Sequence, residues 1–224
     1  MCEVEMVYNP SYTGLRYDII KEISGADNVV LDVGCATGSA GKFLLQNKIA
    51  QKVYGIEYSE DMSKEAAETY ERVFNGDLND EGFRLSIVKE IPECDYIIFG
   101  DVLEHLVEPE TVLKELKDIL KENGKIIISL PNVGHLETFI QLFIKGTWPR
   151  NNRGIFDKTH LRWYTRKDAI DLVLDSGLDV LAIRRNFRAR DSLGSKFNWR
   201  YNLIKILNKD LVTFQYIIIC KHAQ

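Results

Sequence analysis

The 224-residue chain contains no run approaching the ~20 apolar residues that a bilayer-spanning helix needs. Its first stretch, Met1 to Tyr17, mixes acids, polar residues and a proline, so the basic start and apolar core of a secretory signal are missing too. Cysteine is sparse: four residues, at positions 2, 35, 94 and 220, form no C-x-x-C pair and no ligand cluster. That excludes a disulfide-built scaffold and a cysteine zinc site. A reduced, cytoplasmic protein without a metal is the simplest expectation. Repeats, low-complexity tracts and Ser/Gly linkers are also lacking, so one domain spanning 1–224 is expected.

What is present is a polarity of charge. Residues 1–130 carry 13 Lys/Arg and 25 Asp/Glu, a net charge of −12, whereas residues 131–224 carry 16 and 8, a net charge of +8. A basic half within an acidic protein points to a local anionic partner and away from general nucleic-acid binding.

Short apolar runs alternate with helical spacing through the first 130 residues. Asn28–Val33, Lys52–Glu57, Arg72–Asn75, Asp95–Gly100 and Lys125–Leu130 read as strands; Ser39–Asn47, Ser59–Arg72 and Glu110–Lys121 read as helices. Such alternation predicts right-handed crossovers and a doubly wound, mostly parallel sheet, with ligands bound beyond the carboxyl ends of its strands. After Leu130 the rhythm breaks into Pro, Gly, Trp and Asn punctuation around one amphipathic stretch, Leu136–Lys145. It resumes with a helix at Arg166–Ser176 and a strand within Asp179–Asn186. A less regular basic segment, Arg188–Lys209, then precedes a final strand at Val212–Cys220.

The strongest local feature is Leu31-Asp32-Val33-Gly34-Cys35-Ala36-Thr37-Gly38, a strand that enters a glycine turn and then a helix. Small residues admit a ligand to the backbone, and a helix N-terminus offers free N–H groups. Ala36 stands where the dinucleotide pattern needs its second glycine, and no G-K-[ST] ending marks a phosphate loop.

The pattern D-x-G-x-x-x-G instead resembles the first motif of the class I S-adenosylmethionine-dependent methyltransferases. Acids at the next strand ends extend the resemblance: Tyr54-Gly55-Ile56-Glu57, Asn75-Gly76-Asp77-Leu78 and Phe99-Gly100-Asp101-Val102-Leu103-Glu104-His105. The implied fold is a seven-stranded Rossmann-like sheet. Residues 1–130 would form the cofactor half and 131–224 the substrate half, with an inserted cap at 131–166. The resemblance implies that Gly34, Cys35 and Gly38 cradle the methionine part of S-adenosyl-L-methionine while Asp32 braces the turn. Glu57 would hold the ribose. Tyr58, Asp77 and Leu78 would flank the adenine, and Asp101 and Val102 would lie near the amino group. Tyr12 and Arg16 would reach the carboxylate. Taken singly, each acid also reads as a helix N-cap.

For the acceptor side, His105, His135 and His160 fall in loops or in the inserted segment, and a near-neutral imidazole suits removal of a hydroxyl proton. His160 leads, with His105 in reserve, because Asp157 can orient it and Arg162 can pair with an anionic substrate; each imidazole also has a plain structural reading. Arg184, with Arg185, Arg188 and Arg190, completes a candidate phosphate site. The segments around Asp101, Ser129 and Arg153–Thr165 resemble a branch associated with polysaccharide and glycan biosynthesis, related to quinone-ring O-methyltransferases. The implied acceptor is a sugar, glycan intermediate or other anionic small molecule. N-methylation and a non-catalytic cofactor-binding role stay open, as does the oligomeric state.

Overall fold

The computed structural model describes residues 13–188 and 199–223, so Cys2, Tyr12 and Arg190 lie outside the described residues. Seven strands form one sheet: β1 (Asn28–Val33), β2 (Ala50–Glu57), β3 (Arg72–Asn75), β4 (Cys94–Gly100), β5 (Leu120–Pro131), β6 (Leu178–Phe187) and β7 (Thr213–His222). Their spatial order is β3-β2-β1-β4-β5-β7-β6. β1 to β5 are parallel, and β7 inserts antiparallel to both β5 and β6. Strand order reverses between β1 and β4, where an α/β sheet opens a crevice.

The central strands are apolar on both faces because both faces are covered. Alternation sends Val30, Ile98 and Ile127 into one layer, beneath α1 (Tyr17–Ile20), α2 (Ser39–Gln46) and α3 (Glu60–Ala67). Leu31, Phe99, Ile126 and Ile128 enter the other, beneath α4 (Glu81–Ile87), α5 (Pro109–Lys117) and a later helix (Arg166–Asp175). Each such side chain contributes about 1.5–3 kcal/mol of transfer free energy.

Local signals set the helix starts. Ser59 caps α3 at the Met62 amide, Asp80 caps α4 at the Phe83 amide, and Pro109 opens α5. The helix read over Ser59–Arg72 stops at Ala67, because the following turn carries Tyr70 into the core. Nothing in the periodicity flagged α4, a seven-residue helix held to α5 by the Arg84–Glu115 ion pair.

Between β5 and the helix at Arg166–Asp175 runs a long connection, 132–165. The amphipathic stretch within it forms α6 (Leu136–Phe139), which widens into a π-turn at Ile140–Ile144. A bridge from Asn132 to Tyr164 closes the connection at its base. The following helix, α7 (Arg166–Asp175), starts with a capping box made by Thr165 and Asp168. The stretch read as irregular contains α8 (Trp199–Leu207).

Candidate active site

A cleft with an empty volume of about 480 Å³ opens at the strand-order reversal. The glycine turn after β1 lines one side, Thr13 to Ile20 contribute the other, and Ile98 and Gly100 of β4 complete it. Gly34 has φ +69°, and a Cβ there would stand 2.5 Å from Val102 Cγ2. Gly38, at φ +80°, opens α2 with no side-chain cap, so first-turn N–H groups are left for a ligand. Ala36 also takes a left-handed conformation, φ 48°.

Tyr70, which the sequence reading missed, organises this turn. Its hydroxyl donates to Asp32 Oδ2 (2.7 Å) and accepts from the Gly41 amide (2.9 Å). Its ring fills the space vacated by Gly38, Gly41 and Gly55; a Cβ on Gly41 would lie 2.2 Å from it. Asp32 is buried, and burial pushes its pKa up to about 6; the Tyr70 bond opposes this and the Glu57 charge adds to it. Burial likewise drives the Cys35 thiol far up, with Asp32 and Glu57 adding to it, so Cys35 is a small turn residue and not a nucleophile.

Glu57 closes the turn from β2. One carboxylate oxygen accepts from the Ala36 amide (2.8 Å) and the other from Ser59 (2.7 Å). A carboxylate has about four acceptor positions, so capacity for a diol remains. Tyr58 beside it is exposed, Asp77 accepts from Asn79, and Leu78 is buried in the core.

Asp101 sits in a left-handed conformation, φ 62°, directly after Gly100. Its carboxylate receives Arg16, Ser129 (2.9 Å) and Gln215 (2.7 Å). Burial alone would lower the Arg16 pKa, but Asp101 and Asp18 outweigh it and hold the guanidinium charged beside the cleft. Ser129 and Gln215 come from β5 and β7, partners that only the sheet order brings together.

The loop after Asp101 leads from the glycine turn to the histidines. Val102 touches the Gly34 position, and the 3-10 turn Leu103–His105 then meets His160. The rings of His105 and His160 stand edge to face with centroids 4.8 Å apart. His160 Nε2 is 3.9 Å from Glu104 Oε1, and both groups are buried. Burial pushes the Glu104 carboxyl well above its usual range, with Asp101 adding to the effect. Burial, then the proximity of His105, lowers His160 to about 4. His160 is therefore neutral near pH 7. His160 Nδ1 has no hydrogen-bond partner among the described residues, and the Ile155 backbone opposes the lowering by favouring the charged ring. Donor atoms of Glu104, His105 and His160 all lie within 4.8 Å of one another, a spacing that also suits a divalent cation. Neither imidazole is among the residues lining the 480 Å³ cleft.

Other candidates take different places. Asp157 is buried and accepts from the Thr159 amide (2.9 Å) and hydroxyl (2.6 Å), and Thr159 in turn meets His105 Nδ1 (3.1 Å); Asp157 thus orients Thr159, and through it His105. Exposed Arg162 donates to the Val107 carbonyl. His135 is structural: Nδ1 accepts the Glu137 amide to cap α6, and Nε2 donates to the Arg188 carbonyl. The arginine cluster is not one site. Arg184 pairs with Glu22 and Arg185 with Asp210, because consecutive strand residues face opposite sides of the sheet.

A glycine turn at the strand-order reversal, with acids at consecutive strand ends, defines a Rossmann-like methyltransferase fold. Solved structures of this shape include an S-adenosylmethionine-dependent methyltransferase from Archaeoglobus fulgidus, at TM-score 0.63 and 20% identity over 94% of this chain and 96% of that one. The [4+2]-cyclase SpnF shares it too, at TM-score 0.58 and 15% identity over 92% and 80% of the respective chains, so the shape alone does not dictate methyl transfer. The family does: a model described as a methyltransferase domain matches residues 14–183, and the chain belongs to that family. It is an enzyme, a methyltransferase that uses S-adenosylmethionine. It is 26% identical over 195 residues to a ubiquinone biosynthesis O-methyltransferase of Coxiella burnetii, covering 75% of this chain and 81% of that protein. A mitochondrial counterpart from Candida albicans is 30% identical over 119 residues, 51% of this chain but only 36% of that protein's length.

Proposed function

We propose that the enzyme methylates a hydroxyl oxygen of a small molecule held beneath the 132–165 connection, which serves as the acceptor cap. The observation that carries this reading is the neutral, buried His160 imidazole, whose Nδ1 has no hydrogen-bond partner among the described residues, packed against His105 on the loop that reaches back to the glycine turn. The cofactor fits the cleft. Small residues, Gly34, Cys35, Ala36, Ser39 and Ala40, line its floor, Arg16 and Asp101 offer opposite charges for an amino-acid end, and Glu57 keeps acceptor positions for a ribose. Tyr58, Asp77 and Leu78 stand at the strand ends where the adenine would lie. When bound, the cofactor supplies an electrophilic methyl group.

His160 takes the acceptor's hydroxyl proton as the oxygen is methylated. His105 shares the position, fixed through Thr159 and Asp157. The activity of the relatives, O-methylation in ubiquinone biosynthesis, favours oxygen over nitrogen and an acceptor on the route to a quinone. A sugar or glycan acceptor is the narrower alternative; the exposed cations Lys145, Arg150, Arg153 and Lys158 of the cap favour any anionic group it carries.

Labelled-methyl transfer to matched phenol, sugar and amine acceptors, with products located by NMR, tests the reading. Transfer to oxygen that survives a chelator but not His160→Ala is the expected result. Transfer to nitrogen would overturn it, and loss of activity with the chelator would replace the imidazole base by a cation on the same three side chains.

A further inference from the structure

The cap carries an apolar crest that the proposed chemistry does not use. Phe143 and Ile144 are 71% and 69% exposed, and Phe139, Leu142, Trp148 and Trp163 on the same connection are exposed too. Phe139 stacks on Phe143, and Trp148 packs edge to face on Trp163. Single exposed apolar residues need no explanation, but two exposed ring pairs on one connection, one of them a pair of tryptophans, do.

Charge identifies the partner. The stretch 139–166 holds six Lys/Arg against one acid, Asp157, and that acid is buried. Lys145, Arg150, Arg153 and Lys158 are exposed, and none forms an ion pair among the described residues. Residues 1–130 meanwhile carry a net charge of −12. An anionic surface therefore attracts the cap and repels the other half, which orients the molecule. No described helix is long and apolar enough to cross a membrane, so the attachment this surface can make is peripheral.

We propose that the cap docks the enzyme on an anionic lipid bilayer, with Phe143 and Ile144 inserted at the headgroup boundary, Trp148 and Trp163 at interfacial depth, and the four unpaired cations on the lipid phosphates. A surface of this kind admits acceptors that partition into the membrane. The docking does not depend on which atom is methylated.

Flotation of the full chain with vesicles of phosphatidylcholine alone, or with phosphatidylglycerol added, tests it. Binding is expected only to the anionic vesicles, with a blue shift in tryptophan emission and release at high salt. Arg150→Gln and Lys145→Gln each remove a cation, which is worth about fivefold in partitioning. Phe143→Glu combined with Ile144→Glu reduces flotation to background while S-adenosylhomocysteine affinity stays unchanged, which shows the variant is folded. Equal binding to neutral and anionic vesicles, or binding unaffected by the double variant, overturns the proposal. So does a wild-type dimer in sedimentation that the double variant dissociates without flotation in either form, because the crest then covers a second copy.

Discussion

The half of the molecule up to β5 and the 132–165 connection solve opposite problems. In the first, backbone and side chains are fixed by close approach: Tyr70 occupies three glycine positions, Val102 abuts Gly34, and Asp101 is held by three donors. In the second, one small buried group, Ile155 and Phe156 with Phe214, and the buried Tyr164 anchor a segment on which Phe139, Leu142, Phe143, Ile144, Trp148, Leu161 and Trp163 are exposed. A site for one invariant cofactor tolerates rigidity, whereas the surface that selects an acceptor is carried on irregular chain. The contrast teaches where substitutions should hurt binding and where they should change specificity.

The strongest way to sharpen that contrast is Gly34→Val. A β-branched residue at positive φ costs about 1–3 kcal/mol of strain, and its Cβ would begin 2.5 Å from Val102. S-adenosylhomocysteine binding by calorimetry should vanish, with a lowered melting temperature. Equal damage to cofactor binding from Phe143→Glu would erase the division between the two regions.

His160→Ala should come next, lowering kcat by about 10²–10⁴-fold while cofactor affinity holds. Because burial lowers His160 to about 4, the free base persists down to that pH, and the acidic limb of the rate profile should lie near pH 4 instead of near 6.5. Disappearance of that limb in the variant separates a base from a structural imidazole.

Asp32 gives a smaller, thermodynamic effect. Its pKa in the folded protein, about 6, exceeds the ordinary 3.8, so the folded state keeps a proton that the unfolded chain loses between these values. Stability from this group is complete below pH 4 and falls as pH rises through 6, by on the order of 3 kcal/mol. Asp32→Asn, which can still accept from Tyr70, should flatten that decline in denaturant titrations at pH 4 and pH 7. An unchanged slope would mean that other groups carry the dependence.

Least affected should be Arg184→Ala. The ion pair with Glu22 is partly exposed on the arginine side, 53%, so its loss should cost under about 1 kcal/mol. The acceptor KM should not move. A raised KM would restore Arg184 to the substrate side and contradict its place on the sheet face.

Much of this was legible in the sequence. The alternation of apolar runs with helical spacing marked all seven strands, most plainly the central β1, β4 and β7, because a strand covered on both faces must be continuously apolar. The glycine turn and the acids at Glu57, Asp77 and Asp101 stood out because strand ends are where polar residues interrupt such runs. Glu104 had a weaker signal, a lone acid inside an otherwise apolar Val-Leu-x-His-Leu stretch that is easily read as a solvated loop residue. Tyr70 had none: a tyrosine ending a helix is unremarkable until the fold presses it against glycines 29, 32 and 15 residues away in sequence.

The sequence by itself determined the strands, the turn and the chemical character of the cofactor cleft, since local periodicity and backbone conformation are written in neighbouring residues. Only the tertiary structure decided which polar groups share an environment. It set Ser129 and Gln215 on Asp101, separated Arg184 from Arg185, made His135 a helix cap, and buried His160 beside Glu104. Burial and the company of other charges set protonation, and both arise from distant segments meeting in space.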